Sequence, residues 1–415
     1  MAEGLLGEVL ELDVGTPGHG GICVARHDGR VVFVRHALPG ERVRAHVTED
    51  AGGSFVRADA VDVLMPSPSR VAPPCPIAGP GRCGGCDWQH ASGQAQRELK
   101  ATVVREQFAR LAGLDVTELL GEVEALPGGL LGWRTRVAFA VDRDGRPGLH
   151  RHRSHDIEPV PSCPLGVPGV GDSRALGERW SEASGIEAVR DDDGAVALLA
   201  RRAVQRRRGR GRRPPDRVEL VDGPARLSYR LGARVFEIDA GGFWQVHPHV
   251  LSVISAALVN AVAPSPGDSV LDLYAGAGPL TYVLARAVGP GGHVVGVEAS
   301  RQAAADAADN LADLDWAEVR HGRVDATLVR SLDVAPDVVV LDPPRAGAGR
   351  DTMAALLELR PRALGYVSCD PATLARDVRV AVDAGWRLEL LRSFDAFPMT
   401  HHVECLALLE PGRAG

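Results

Sequence analysis

One cysteine of this chain stands where covalent chemistry needs a thiol. Cys369 comes two residues after the apolar run LGYV (364–367) and directly before Asp370-Pro371. The run predicts a buried strand, and open α/β sheets bind their ligands at strand tips. A free cysteine is more often an inert core residue, but polar neighbours on both sides argue against that here. The sequence therefore indicates a nucleophilic thiol, which can activate a carbon that does not react unaided.

Two earlier strand ends carry the residues of a nucleotide-type cofactor pocket. The segment VLDLYAGAGPLTYVLA (270–285) is an apolar strand that turns through Gly276 and Gly278 into a helix, and the next strand ends in Glu298. Glycines let the backbone approach a ligand, and an acidic strand end accepts hydrogen bonds from a ribose diol. Pro279 interrupts the GxGxxG pattern, which favours a turn over an uncharged ribose and methionine. An ordinary turn in a structural α/β domain is the alternative.

Four of the seven cysteines form a candidate ligand set. Cys75, Cys83 and Cys86 lie in CPIAGPGRCGGC, and the distant Cys163 precedes Pro164. An odd number of cysteines in a long chain argues against a disulfide framework. Three close thiols and one remote thiol can enclose an iron–sulfur cluster or a zinc ion. Four unliganded thiols are the remaining interpretation.

Five segments resemble those of the S-adenosylmethionine-dependent RNA uracil-5-methyltransferases, and they occur in the order typical of that family. They are FWQVH (243–247), DLYAG (272–276), DPPR (342–345), SCDP (368–371) and FPMTHHVE (397–404). The chain looks most like the branch of that family with an N-terminal TRAM domain and an iron–sulfur cluster. The resemblance implies Cys369 as nucleophile and Glu404 as base. It places S-adenosylmethionine on Gln245, Tyr274, Glu298 and Asp342, and favours a [4Fe–4S] cluster over zinc on Cys75, Cys83, Cys86 and Cys163.

The chemistry that the family performs needs these residue types. Carbon 5 of uracil is a poor nucleophile, and addition of a thiolate to carbon 6 turns it into an enolate carbon. A base must later remove the carbon 5 proton before the thiolate can leave. The resemblance favours 23S ribosomal RNA as substrate, with transfer RNA as an alternative. A protein that binds RNA and keeps the fold without turnover is the alternative from another class.

The order of segments predicts three domains. Short apolar runs separated by Gly and Pro indicate an OB-like β-barrel over residues 1–62, and VVFVRHALPGERV (31–43) resembles a TRAM RNA-binding domain. An α+β domain with the four cysteines is predicted over 70–235. A Rossmann-like α/β catalytic domain is predicted over 240–415, led by a helix over 249–263.

Composition limits how RNA can be bound. The net charge is −7, so positive charge must be local, as in RRAVQRRRGRGRR (201–213) or at Arg134 and Arg136. A disordered insertion explains the arginine-rich run equally well, and arginines on one strand face are usually only solvated. No segment has the apolar length of a membrane helix or the pattern of a signal peptide, which predicts a cytoplasmic protein. We expect a monomer.

Three residues depart from the family pattern, and a fourth residue is a candidate cofactor contact only because of its position after a strand. His247 stands where the family more often has Asn, and Pro279 replaces a residue of the cofactor loop. Asp370 is often Asn in relatives. As a carboxylate it should raise the pKa of the Cys369 thiol unless a cation such as Arg345 offsets it. Asp325, after the third strand, is a candidate contact for the adenine edge.

Overall fold

The N-terminal part of the chain is a small all-β unit. The computed structural model describes residues 4–204 and 216–412. Six strands form one sheet in the order β1-β5-β6-β4-β3-β2. Alternate residues are buried along the strands, as in β5, and β1 also contacts β3, so that the sheet curls around its own core. The strands are β1 (Val9–Asp13), β2 (Pro17–Gly18), β3 (Ile22–His27), β4 (Arg30–Arg35), β5 (Arg42–Glu49) and β6 (Phe55–Met65).

The middle of the chain combines one helix with antiparallel strands. Helix α1 (Gly93–Gln107) begins at Ser92, whose side chain accepts a hydrogen bond from the Ala95 amide, and it continues into a π-helical turn (Phe108–Ala112). The main sheet has the order β10-β9-β8-β11-β12-β13, and β14 pairs with β15. The strands are β7 (Glu124–Ala125), β8 (Arg136–Val141), β9 (Pro147–His150), β10 (Ile157–Pro159), β11 (Gly185–Arg190), β12 (Val196–Arg202), β13 (Arg217–Asp222), β14 (Arg226–Leu231) and β15 (Arg234–Asp239).

The C-terminal part is an eight-stranded sheet with helices on both faces. Its order is β18-β17-β16-β19-β20-β22-β21-β7, in which the first five strands run parallel and β22 runs against its neighbours. The strands are β16 (Ser269–Leu273), β17 (His293–Glu298), β18 (Ala317–His321), β19 (Val338–Leu341), β20 (Ala363–Ser368), β21 (Trp386–Asp395) and β22 (Glu404–Pro411). The helices are α2 (Val250–Val262), α3 (Pro279–Val288), α4 (Arg301–Asn310), α5 (Ala326–Ser331), α6 (Arg350–Glu358) and α7 (Pro371–Asp383).

The registers of this sheet bring distant residues to one edge. Leu273 pairs with Val297 on one side and with Leu341 on the other, so the residues directly after these strands lie side by side. Ser368 at the end of β20 pairs with Cys405 of the antiparallel β22. The residue before Cys405 therefore faces the residue after Ser368. This places the start of β22 at the same edge as the ends of the parallel strands.

The middle segment is built into the catalytic core. Strand β7 pairs with β21 at the edge of the catalytic sheet, and Val104 and Phe108 pack in the same buried cluster as β16 and β19. The lysine of α1, Lys100, is 2% exposed, and its Nζ lies 2.6 Å from Asp395 Oδ1 and 3.0 Å from the Phe397 carbonyl oxygen. Helix α1, which belongs to the cysteine-bearing domain predicted over 70–235, thus also completes the catalytic fold.

Candidate active site

A large cavity opens at the carboxyl edge of the catalytic sheet. Its volume is about 1490 Å³. All six residues predicted for catalysis and cofactor binding line it: Gln245, Tyr274, Glu298, Asp342, Cys369 and Glu404. The cavity is therefore large enough for a nucleoside cofactor and a substrate nucleotide together.

One end of the cavity is formed by the turn after β16. Tyr274 has φ +66° and Gly276 has φ +57°, and nothing lies within 4 Å of where a Cβ on Gly276 would be. The Glu298 carboxylate accepts hydrogen bonds from the Gly276 amide (3.0 Å) and the Ser300 amide (2.6 Å). Each carboxylate oxygen keeps a further lone pair for a hydroxyl donor. Open backbone at Gly276 and a fixed carboxylate beside it suit a ribose.

The other end holds the thiol and a buried carboxyl group. Burial raises the pKa of the Cys369 thiol to about 12, Glu404 acts in the same direction, and Arg345 acts against both. Glu404 is 2% exposed, and burial together with nearby Asp342 raises the pKa of its carboxyl group well above its ordinary value. At neutral pH the free protein thus holds a neutral thiol at Cys369.

Asp342 connects the two ends. Burial, followed by the charge of Asp272, raises the pKa of Asp342 to about 7. Asp272 is itself buried, with its pKa raised to about 7, and its Oδ2 accepts a hydrogen bond from Thr281 Oγ1 at 2.5 Å. Several carboxyl groups in one dry region cannot all be ionised, so protons are retained among them near neutral pH.

A network of histidines that the sequence did not single out forms the wall beside Arg345. The Arg345 guanidinium lies 3.1 Å from His402 Nε2, and the rings of His401 and His402 have centroids 4.0 Å apart. Asp87 Oδ2 accepts a hydrogen bond from the His401 amide and lies 2.7 Å from His401 Nδ1. Arg35 of the N-terminal sheet approaches Asp87 Oδ1 at 3.3 Å. All three parts of the chain meet here.

Two arginines predicted as possible RNA contacts have different surroundings. Arg136 donates hydrogen bonds to the carbonyl oxygens of Ala240 and Gly242, at 3.0 and 2.5 Å. It thereby stabilises the segment that follows β15. Arg134 is half-buried and lines the large cavity. Its Nε donates a hydrogen bond to the Arg136 carbonyl oxygen. The expectation that such arginines are only solvated is thus not met.

The other predicted positions have structural partners. Pro279 occupies the first turn of α3, where its missing N–H is tolerated. His247 is buried and stacks on Trp133, with ring centroids 5.8 Å apart. Asp325 caps α5 by accepting a hydrogen bond from the Leu328 amide, and it is not among the residues that line the cavity. Most of the arginine-rich run, from position 205 to 213, lies outside the described residues.

A smaller cavity lies next to the large one. Its volume is about 310 Å³, and it is lined by all four cysteines predicted as ligands: Cys75, Cys83, Cys86 and Cys163. The Gln89 side chain donates to the carbonyl oxygens of Cys75 (3.3 Å) and Ala78 (2.7 Å), which fixes the loop. Within residues 4–204 and 216–412, no three His, Cys, Asp or Glu side chains converge closely enough to hold one metal ion. Arg134 borders both cavities.

Comparison with known proteins agrees with this geometry. Residues 5–61 match the model of the TRAM domain, and residues 234–411 match that of the tRNA (Uracil-5-)-methyltransferase family. An uncharacterized RNA methyltransferase of Streptomyces avermitilis is 45% identical over 99% of this chain and 100% of its own length. The 23S rRNA (uracil(1939)-C(5))-methyltransferase RlmD of Alkalilimnicola ehrlichii is 32% identical over 97% of both chains. The chain belongs to the RNA uracil-5-methyltransferase family.

The fold of this uracil-5-methyltransferase is also found among solved structures. The Pyrococcus abyssi tRNA (uracil-54, C5)-methyltransferase, solved with S-adenosyl-L-homocysteine, superposes with a TM-score of 0.69 at 21% identity and covers 96% of this chain. It confirms the predicted class I methyltransferase fold with an N-terminal β-rich domain. No helix within the described residues is long and apolar enough to cross a membrane.

Proposed function

We propose that this methyltransferase acts on carbon 5 of a uridine in 23S ribosomal RNA. The observation that carries the proposal is the shared cavity, in which Cys369 and Glu404 lie with the residues of a ribose-binding turn. A relative 32% identical over nearly the whole chain is named as a 23S rRNA uracil-5-methyltransferase, which favours ribosomal RNA. The matching family model carries a tRNA name, so transfer RNA is the second candidate.

In the proposed reaction Cys369 is the nucleophile. Its thiolate bonds to carbon 6 of uracil, and the carbon 5–carbon 6 double-bond electrons move toward oxygen 4. The free thiol is neutral because its pKa is raised to about 12, so thiolate formation must be coupled to substrate and cofactor binding. Arg345 is the cation of this wall that favours the thiolate. S-adenosylmethionine, when bound, supplies the methyl group as an electrophile.

Glu404 is the proposed base. Once carbon 5 carries the methyl group, a carboxylate must take its proton so that the carbon 6–sulfur bond can break. A carboxyl group with a raised pKa holds that proton well, and nearby Asp342 contributes to the rise. The two groups titrate as a pair in which one can be ionised while the other is protonated. Glu404 in its ionised form then accepts the proton, and Cys369 leaves.

The cofactor is proposed to lie on Gln245, Tyr274, Glu298 and Asp342. Glu298 is fixed by two backbone amides and can accept the ribose hydroxyls. The Tyr274 amide donates to the Val297 carbonyl oxygen at 2.9 Å, which holds the turn that exposes the Gly276 backbone. Asp342 and Gln245 line the same cavity. In this proposal the turn binds the nucleoside, and Asp342 lies between the nucleoside and the substrate.

We further propose that Cys75, Cys83, Cys86 and Cys163 hold a [4Fe–4S] cluster. Resemblance to the branch of the family with an iron–sulfur cluster favours this group over a zinc ion. The four thiols line a common cavity of about 310 Å³, which has room for a group with one thiolate at each corner. Thiolate ligands of this kind also favour a reducing cytoplasm.

The cluster proposal is tested by iron content. Protein purified without oxygen should carry close to four iron atoms per chain and a visible absorption band. Cys83→Ala should lose both. Cys405→Ala is the matched control, since Cys405 is a buried cysteine whose Sγ lies 3.3 Å from Ser393 Oγ, in the catalytic sheet. Zinc without iron in the wild type would contradict the assignment.

We also propose the three domains predicted from the sequence: an RNA-binding TRAM domain over 1–62, a cysteine-bearing domain over 70–235 and the catalytic domain over 240–415. The TRAM family match over 5–61 supports the first boundary. Segment 93–125 packs into the catalytic core, so the second and third should unfold together.

The main experiment uses protein purified without oxygen, tritiated S-adenosylmethionine and ribosomal RNA that lacks 5-methyluridine, followed by nucleoside analysis. We expect labelled 5-methyluridine in 23S RNA, and none with Cys369→Ala. Label in transfer RNA alone would move the substrate and keep the chemistry. Cofactor binding without label in either RNA would support a binding or assembly protein instead.

A further inference from the structure

A turn of the N-terminal barrel reaches the neighbourhood of the proposed nucleophile. Between β2 and β3, Gly20 has φ +94° and Gly21 has φ +74°. A Cβ on Gly21 would lie 2.5 Å from the Asp87 Cβ, so the turn is packed tightly against that buried residue. Gly20 lines the large cavity. The barrel therefore supplies part of the wall around the reacting groups.

His19, which lies between β2 and Gly20, contacts Asp370, the residue directly after Cys369. His19 Nε2 lies 3.3 Å from Asp370 Oδ2, and the side chains are 37% and 23% exposed. The other oxygen, Oδ1, is already held by the amides of Ala372 and Thr373 at 3.0 and 2.9 Å. Among the described residues, His19 is the only partner of Oδ2.

The position of Asp370 makes that contact consequential. A carboxylate next to a thiol opposes ionisation of the thiol, and Asp370 is one of the groups that raise the pKa of Cys369. Two backbone amides fix one of its oxygens at the start of α7. A hydrogen-bond donor on the second oxygen reduces the negative charge that the carboxylate presents to the thiol, and it fixes the plane of the carboxylate.

We propose that His19 is a positioning residue for methyl transfer, which acts through Asp370 on Cys369. The inference depends on the proposed nucleophilic role of Cys369. It gives the barrel a second task besides RNA binding, because its docking completes the surroundings of the thiol. It also explains how a carboxylate is tolerated at a position next to the nucleophile.

The first test separates turnover from binding. His19→Ala should lower kcat about tenfold, the loss expected for one charge-assisted hydrogen bond, with KM for RNA and for the cofactor unchanged. His19→Gln keeps an N–H donor and should retain most of the activity. His27→Ala is the matched control, because His27 is a histidine of the same barrel whose partner, Asp28, is exposed. A raised KM for RNA with normal kcat would overturn the proposal in favour of direct RNA contact.

A double-mutant cycle tests the route through Asp370. In the Asp370→Asn background the carboxylate is absent, so His19→Ala should then change kcat by less than about twofold. Reaction of Cys369 with a small pyridyl disulfide, followed by peptide mass spectrometry, gives a readout that needs no turnover. His19→Ala should slow it, and Asp370→Asn should remove that effect. Equal losses in both backgrounds, or faster labelling in His19→Ala, would overturn the proposal.

Failure of the proposed function gives a different pattern. If wild-type protein methylates no RNA while His19→Ala still slows the labelling of Cys369, the contact is real and the reaction is misassigned. If methylation proceeds normally in His19→Ala, the positioning role is refuted and the reaction stands.

Discussion

Labelling of Cys369 in the folded protein should keep rising with pH beyond the range in which an ordinary cysteine is fully ionised. Burial and the nearby carboxyl groups raise the pKa of its thiol from 9.0 to about 12. At pH 8 this leaves about a thousandfold less thiolate than in the unfolded chain. The thiolate of higher pKa is intrinsically more reactive, by about 20-fold for a Brønsted coefficient near 0.45. The net expectation is labelling about 40-fold slower than in the unfolded chain.

The assay is a pulse with a pyridyl disulfide between pH 7 and pH 10, followed by digestion and mass spectrometry of the peptide that contains Cys369. The logarithm of the rate should rise by one unit per pH unit throughout. For the same thiol in urea, the labelling rate should level off above about pH 9, because the ordinary pKa of the thiol is 9.0. A plateau below pH 9 in the folded protein would refute the claim that the resting thiol is neutral.

The cofactor provides a second comparison at the same thiol. S-adenosylmethionine carries a positive sulfonium that S-adenosylhomocysteine lacks, while the two differ in size by one methyl group. A positive charge about 10 Å away lowers the pKa of a thiol by about one unit at an effective dielectric constant of about 20. Labelling should thus be several-fold faster with the sulfonium form. Equal rates at saturation would show that cofactor charge does not activate Cys369.

Three further outcomes are expected from the same geometry. Glu404→Gln should trap a covalent RNA adduct visible as a slow-migrating band, because the carbon 5 proton is not removed; absence of the band would count against Glu404 as base. Arg345→Met should slow labelling of Cys369, since it removes the cation that opposes the rise in the pKa of the thiol, and faster labelling would contradict this. Lys100→Met should cost about 3–5 kcal/mol by leaving Asp395 buried without a partner, seen as a lower thermal midpoint. Lys100→Met with Asp395→Leu should recover most of that loss, and a double variant no more stable than the single one would argue against the pair.

Local sequence predicted the elements that carry the site. The strand predicted to end in Glu298 is His293–Glu298 in the structure, and the helix predicted over 249–263 is Val250–Val262. Runs of apolar residues and their glycine-rich ends depend on neighbours a few positions away, so they can be read without tertiary information. The apolar residues Leu99, Val103, Phe108 and Leu111 have helical spacing, but the α-helix ends at Gln107 and Leu111 is 37% exposed after the π-helical turn.

Motifs also indicated which residues share a site before any distance was known. A parallel sheet places the carboxyl ends of its strands at one edge, so Tyr274, Glu298 and Asp342 had to converge once the strands were identified. Glu404 could be named only by resemblance, because its place beside Cys369 depends on β22 running antiparallel to β20. Strand direction is not encoded in the residues of the strand itself.

The sequence by itself determined the fold class, the strand ends and the residue types that bring chemistry to them. Only the tertiary structure decided the surroundings of the thiol. The contacts of His19 with Asp370 and of Asp87 with His401 join residues 351 and 314 positions apart in sequence. Such pairs leave no periodic signal, because they depend on how separate sheets dock. Burial, which raises the pKa values of Cys369, Asp342 and Glu404, is likewise a property of the assembled chain.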